Sequence, residues 1–143
     1  MSFIARFRKY IGERRAAPRY VTRLEKSLTV YVYLLDPKTG AETGRGARIV
    51  GYTRDVSETG LGVILPEVRV AGRSVVRAGR ELRLLVGIPH EPVEMEGAVV
   101  RHVRLAKGEL DSGYLVGVHI TGMSDADRAR YAKYLNGLAV KDI

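Results

Sequence analysis

Apolar and polar residues alternate with period two in short runs from residue 27 onward, and each run predicts a β-strand. Leu28, Val30, Val32 and Leu34 share one face of the first run, with Tyr31 and Tyr33 on the other. Asp36-Pro37-Lys38-Thr39-Gly40 is a turn sequence. A second strand is expected over Gly46–Arg54, and a third from Gly60, carrying Leu61, Val63 and Leu65. Arg69–Gly79 reads as a connection with room for a short strand. Leu82, Leu84, Val86 and Ile88 alternate again before Pro89-His90-Glu91-Pro92 breaks the run. Val93–Leu105 predicts a long strand, bulged where its alternation slips. Lys107–Ser112 is a polar turn, and Tyr114–Thr121 is the last strand.

The period becomes helical at both ends. Ser124 is an N-cap candidate, and Asp127 stands at capping-box spacing from it. Tyr131, Tyr134, Leu135 and Leu138 then form an apolar stripe, with Gly137 near the helix end. At the start, Phe3, Ile4, Phe7, Tyr10 and Ile11 recur at helical spacing among Arg6, Arg8, Lys9 and Glu13. Pro18 disfavours helical geometry at Ala17, so an extended arm should follow this short helix. The fold class expected is all-β: a six-stranded antiparallel β-barrel with a C-terminal α-helix and a short N-terminal helix and arm. A chain of 143 residues suits one domain. Residues 1–12 read as an amphipathic segment and 13–143 as the barrel domain with its helix. The amphipathic segment has three readings: packing on its own barrel or a dimer mate, docking to a partner, or lying on a membrane surface.

Composition narrows the chemistry. The chain has no cysteine, which excludes disulfides, thiolate catalysis and Cys-based zinc sites. His90, His102 and His119 lack metal-ligand spacing, so no metal site is expected. Asp55, Ser57 and a distant histidine lack a nucleophile elbow or oxyanion site, so the chain reads as a non-enzyme. A net charge of +8 favours an anionic partner. No run reaches the ~20 apolar residues of a membrane span, and the N-terminus lacks a secretory apolar core. The expected location is cytoplasmic.

Two short patterns carry the candidate chemistry. The first is Arg14-Arg15-Ala16-Ala17-Pro18-Arg19, and the second is Asp55-Val56-Ser57-Glu58-Thr59-Gly60, followed by Leu61-Gly62. In an extended arm Arg15 and Arg19 stand roughly 13 Å apart, about the width of a dinucleotide. Guanidinium groups bind phosphate bidentately, pair with the O6/N7 edge of guanine and stack on purines. A carboxylate such as Asp55 can accept from the guanine N1–H and N2–H₂. A hydroxyl at Ser57 adds a bond to phosphate or base, and a glycine at position 60 permits a tight turn or close ligand approach.

Arg15-x-x-x-Arg19 followed by Asp55-x-Ser57-x-x-Gly60 resembles the signature of PilZ domains. Gly117-Val118-His119-Ile120 and the capped helix after it are similar to the family's final strand and terminal helix, so the likeness runs from Glu13 to Leu138. His119 departs from the arginine or other polar residue often found there. The resemblance implies a six-stranded barrel that binds cyclic di-GMP and signals without catalysis or a cofactor. By matching position, Arg15 and Arg19 would contact guanine and phosphate, Asp55 and Ser57 guanine and the adjoining phosphate, and Gly60 would shape the turn. Arg14, just before the motif, resembles a residue that favours two stacked ligand molecules per chain over one; its planar cation can cover a second guanine.

An unidentified protein partner is implied, and a homodimer stays open. Two other readings remain: a basic β-barrel that binds nucleic acid, and a ligand-independent adaptor of PilZ shape. Nucleic acid is the weaker partner, because Tyr31 and Tyr33 are the only obvious aromatic pair for base stacking.

Overall fold

The strands follow the alternation closely. In β2 (Thr29–Leu34), Val30, Val32 and Leu34 are at most 1% exposed while the residues between them face outward. β7 (Glu81–Val86) repeats this with Leu82, Leu84 and Val86. The computed structural model describes residues 19–21, 27–35, 47–70, 72–106 and 113–141. The expected N-terminal helix over residues 1–14 and the turns at 36–40 and 107–112 lie outside the described residues.

Six strands close a barrel. β3 (Arg48–Ser57), β2, β7, β8 (Val93–Arg104), β9 (Tyr114–Met123) and β4 (Gly60–Leu65) pair in that order, and β4 pairs back to β3. Every pairing is antiparallel. A barrel of this size has no lumen, and its interior is filled by side chains such as Leu61, Val63, Leu65, Leu84, Met95 and Val118. β1 (Arg19–Val21) is an added strand: where β2 leaves the edge of β3, β1 takes its place beside Asp55–Ser57. β5 (Arg69–Val70) and β6 (Arg73–Ser74) form a small separate hairpin in the segment expected to be a connection.

β3 runs three residues past its expected end at Arg54. Asp and Ser are turn formers in isolation, yet here they are sandwiched between β1 and β4. A bulge at Arg54 shifts the register between Thr53 and Asp55 and bends the strand. β8 carries the expected bulge, with its register against β9 shifting between Val99 and Arg101 and again between Glu96 and Gly97.

The helix α1 (Asp125–Lys141) packs against β8 and β1. Ser124 Oγ caps it by accepting from Asp127 N at 3.1 Å. The Asp127 carboxylate does not complete the reciprocal box; its Oδ2 accepts from Glu94 N at 3.0 Å and so ties the helix start to β8. Tyr131 and Leu135 are buried against the barrel, with Tyr134 and Leu138 partly buried beside them.

Candidate ligand site

Among the described residues, the buried polar side chains are Thr53, Asp55 and Ser57, each 0% exposed. All three lie at one end of β3, in a core that is otherwise apolar. Burying polar groups is unfavourable unless they find partners, so such a concentration needs local structure to support it. Thr53 Oγ1 accepts from Leu28 N at 2.9 Å. Ser57 Oγ accepts from Gly60 N at 3.1 Å and Thr59 N at 3.3 Å, and lies 3.2 Å from Gly60 O, to which it donates. One hydroxyl therefore closes the β3–β4 connection. The Ser57 carbonyl also accepts from the Tyr131 hydroxyl at 2.7 Å.

Asp55 lies over β4. A Cβ placed on Gly62 would stand 2.4 Å from Asp55 Oδ2, so the carboxylate occupies space that only glycine leaves open. Gly60 opens β4, is buried, and pairs with the half-buried His119 of β9.

The register of β1 joins the two sequence patterns. Arg19 stands opposite Ser57, and Val21 opposite Asp55. The second arginine of the arm and the acid–hydroxyl pair are thus neighbours on adjacent strands. Arg14 and Arg15 lie outside the described residues. The second strand was expected to end at Arg54; Asp55 and Ser57 lie past that point and are enclosed strand residues. Two residues at this site carry no motif signal. Gly62 was legible only as a second glycine after Gly60. Tyr131 reads in sequence as one more apolar position of the helix stripe, and the clue to its role is that a buried phenol needs a hydrogen-bond partner.

Elsewhere, a groove of about 440 Å³ runs between α1 and the β7–β8 connection, lined by residues including Ile88, His90, Tyr134 and Leu138. No group of three His, Cys, Asp or Glu that could hold a metal occurs among the described residues. No helix among them is long and apolar enough to cross a membrane.

A closed small barrel, packed with a C-terminal helix and with its buried polar residues gathered on one strand beside β1, defines the class: a helix-bearing small β-barrel domain. The PilZ domain family model matches residues 13–137, and the chain belongs to that family. Among solved structures, the PilZ domain of Escherichia coli YcgR with c-di-GMP is similar at a TM-score of 0.60 and 13% identity, covering 90% of this chain and 94% of that one. The Bacillus subtilis inhibitor of motility MotI/DgrA is similar at 0.61 and 19%, covering 91% and 53%. The K. pneumonia MrkH–c-di-GMP complex is similar at 0.61 and 16%, covering 90% and 54%. The chain spans about half the length of the last two. No curated protein matches it.

Proposed function

We propose that this chain is a cyclic di-GMP receptor that changes conformation on binding and signals to a protein partner without catalysis. The observation that carries the reading is the pairing of Arg19 with Ser57, which sets the second arginine of the motif beside the Asp55–Gly60 segment. Two relatives of the same fold are solved with c-di-GMP. In this reading Arg15 and Arg19 grip guanine and phosphate, Asp55 accepts from the guanine edge, and Ser57 meets the adjoining phosphate. Gly60 shapes the turn, and Arg14 covers a second guanine, giving two ligands per chain.

Burial supplies the link to conformational change. Asp55 and Ser57 are 0% exposed, so a nucleotide reaches them only when whatever covers them moves aside. A ligand that requires this movement favours the moved state by its differential affinity. In this reading the ligand also orders the arginine arm against the barrel, and the surface this creates or hides serves the partner. The cytoplasm, where nucleotide messengers are made, is the location that fits.

Isothermal titration with cyclic di-GMP, using cyclic di-AMP and GTP as controls, tests the reading. Arg15→Ala, Arg19→Ala and Asp55→Ala should each weaken binding about ten- to hundredfold while the barrel stays folded. If all three variants bind like the wild type, the site assignment is wrong. One ligand per wild-type chain would reject the role given to Arg14.

A specific observation keeps the nucleic-acid reading in view. Arg69, Arg73, Arg77, Arg101 and Arg104 are all exposed, and no acidic residue occurs within 68–80 or 97–106. Binding of a polyanion there would weaken steeply with salt, whereas a two-phosphate ligand gives a shallow dependence.

A further inference from the structure

The C-terminal helix reaches the β3–β4 turn through one buried hydrogen bond. Tyr131 is 2% exposed and donates to the main-chain oxygen of Ser57 at 2.7 Å, across 74 residues of sequence. Ser57 is therefore held twice: its carbonyl by the helix, its hydroxyl by the turn. The neighbouring Arg130 reaches a different segment. Its Nη1 donates to the main-chain oxygens of Glu91 at 2.8 Å and Pro92 at 3.1 Å, on the β7–β8 connection. Consecutive side chains of α1 thus grip two separate hairpins.

We infer that Tyr131 is a positioning residue for the ligand turn, fixing Ser57 and with it the Asp55–Gly60 segment, and coupling any displacement of that turn to helix α1. This rests on reading the turn as the cyclic di-GMP site. The carbonyl and hydroxyl of Ser57 belong to one residue, so a backbone shift that frees the hydroxyl for a ligand also changes the geometry at Tyr131. Hydrogen bonds weaken steeply as their angle departs from linear. Because the helix is packed into a dense core, it responds as a unit rather than by gradual deformation. α1 also contacts β1, so both strands that carry the motif bear on it. The element that moves with the turn then lines the groove formed with Ile88, Pro89 and His90, where Tyr134 and Leu138 supply the helix side.

The test uses the full chain, with calorimetry against cyclic di-GMP and amide hydrogen exchange with and without it. Tyr131→Phe removes one oxygen and leaves the ring in place. It should bind about five- to tenfold more weakly. It should also lose over about half of the ligand-induced change in exchange that the wild type shows across 125–141. Ser124→Ala, which removes the helix cap, serves as the stability control. It should lower the melting temperature measurably while keeping affinity within about twofold and the ligand-induced change intact.

The inference is overturned if Tyr131→Phe matches the wild type in both readouts, or if Ser124→Ala reproduces its losses. Failure of the receptor reading is separable. If wild type binds no cyclic di-GMP, positioning is read without ligand from the Thr59 and Gly60 amides, both held by Ser57 Oγ. Exchange there about tenfold faster in Tyr131→Phe supports positioning, and unchanged exchange overturns it.

Discussion

The β3–β4 and β7–β8 connections are gripped by adjacent residues of the same helix, yet they are built on opposite principles. The first has buried flanks, with Glu58 exposed at its tip and Thr59 half-buried. Ser57 and Gly60 are buried, a hydroxyl closes the turn from within, and a neutral phenol holds it from behind. The second is open. Pro89, His90, Glu91 and Pro92 are exposed, His90 has a φ of 77°, and a guanidinium holds the loop from outside. Arg130 Nη1 also lies 3.7 Å from a Glu91 carboxylate oxygen on a side chain 72% exposed, and Nη2 pairs with Asp127. Exposed ion pairs contribute about 0–1 kcal/mol and are screened by salt. A buried hydrogen-bonded group removed from its partner costs about 1–3 kcal/mol. Burial, more than the number of contacts, therefore decides which hairpin tolerates change.

The largest effect should come from filling the space under Asp55. In Gly62→Ala the new Cβ would meet Asp55 Oδ2 at 2.4 Å. Urea denaturation should show a loss of about 1–3 kcal/mol, and cyclic di-GMP affinity should fall more than about tenfold because the carboxylate must shift. The matching change in the open hairpin, Gly87→Ala, meets Thr29 O at 3.3 Å and should change stability by less than about 1 kcal/mol. Equal losses from the two would break the contrast.

Ser57→Ala comes next. It leaves the Thr59 and Gly60 amides without the Oγ that accepts from them, so a stability loss of about 1–2 kcal/mol is expected in the same denaturation experiment. Arg130→Ala should cost under about 1 kcal/mol, and the difference from wild type should shrink in high salt. Its cyclic di-GMP affinity should stay that of the wild type, since it releases only the open hairpin. A drop in affinity comparable with that of Tyr131→Phe would show that the two grips are not independent.

The smallest effect is a pH dependence at the groove. Burial raises the Tyr134 phenol above its ordinary 10.0. A folded-state pKa above the unfolded one means that the unfolded chain releases its proton first. The contribution to stability is therefore complete below pH 10.0 and is lost as pH rises through the folded value. Denaturation midpoints for wild type and Tyr134→Phe, followed upward from pH 9, should diverge only near and beyond pH 10, about where a free phenol titrates.

Much of this molecule was legible along the chain. Period-two alternation gave the strands of the barrel, because inward and outward positions must alternate on a closed sheet. Ser124 marked the helix start, and the slipping alternation within Val93–Leu105 marked the bulging of β8. The arginine and Asp55–Gly60 patterns pointed to one family before any fold was known, since their chemistry is written in residue types and spacing. The end of β3 was not legible. Asp55 and Ser57 favour turns by local propensity, and only their enclosure between β1 and β4 makes them strand residues.

Sequence alone therefore determined the six barrel strands but for the end of β3, the C-terminal helix and the kind of core, and it nominated the candidate ligand residues; all of these depend on neighbours along the chain. Tertiary structure decided that Arg19 faces Ser57, that Gly62 makes room for Asp55, and that the Tyr131 hydroxyl meets the Ser57 carbonyl. Those contacts follow from strand register, a one-residue bulge and barrel closure. A slip of two residues in register would keep every apolar side chain inward and still part these pairs, and no local pattern fixes that choice.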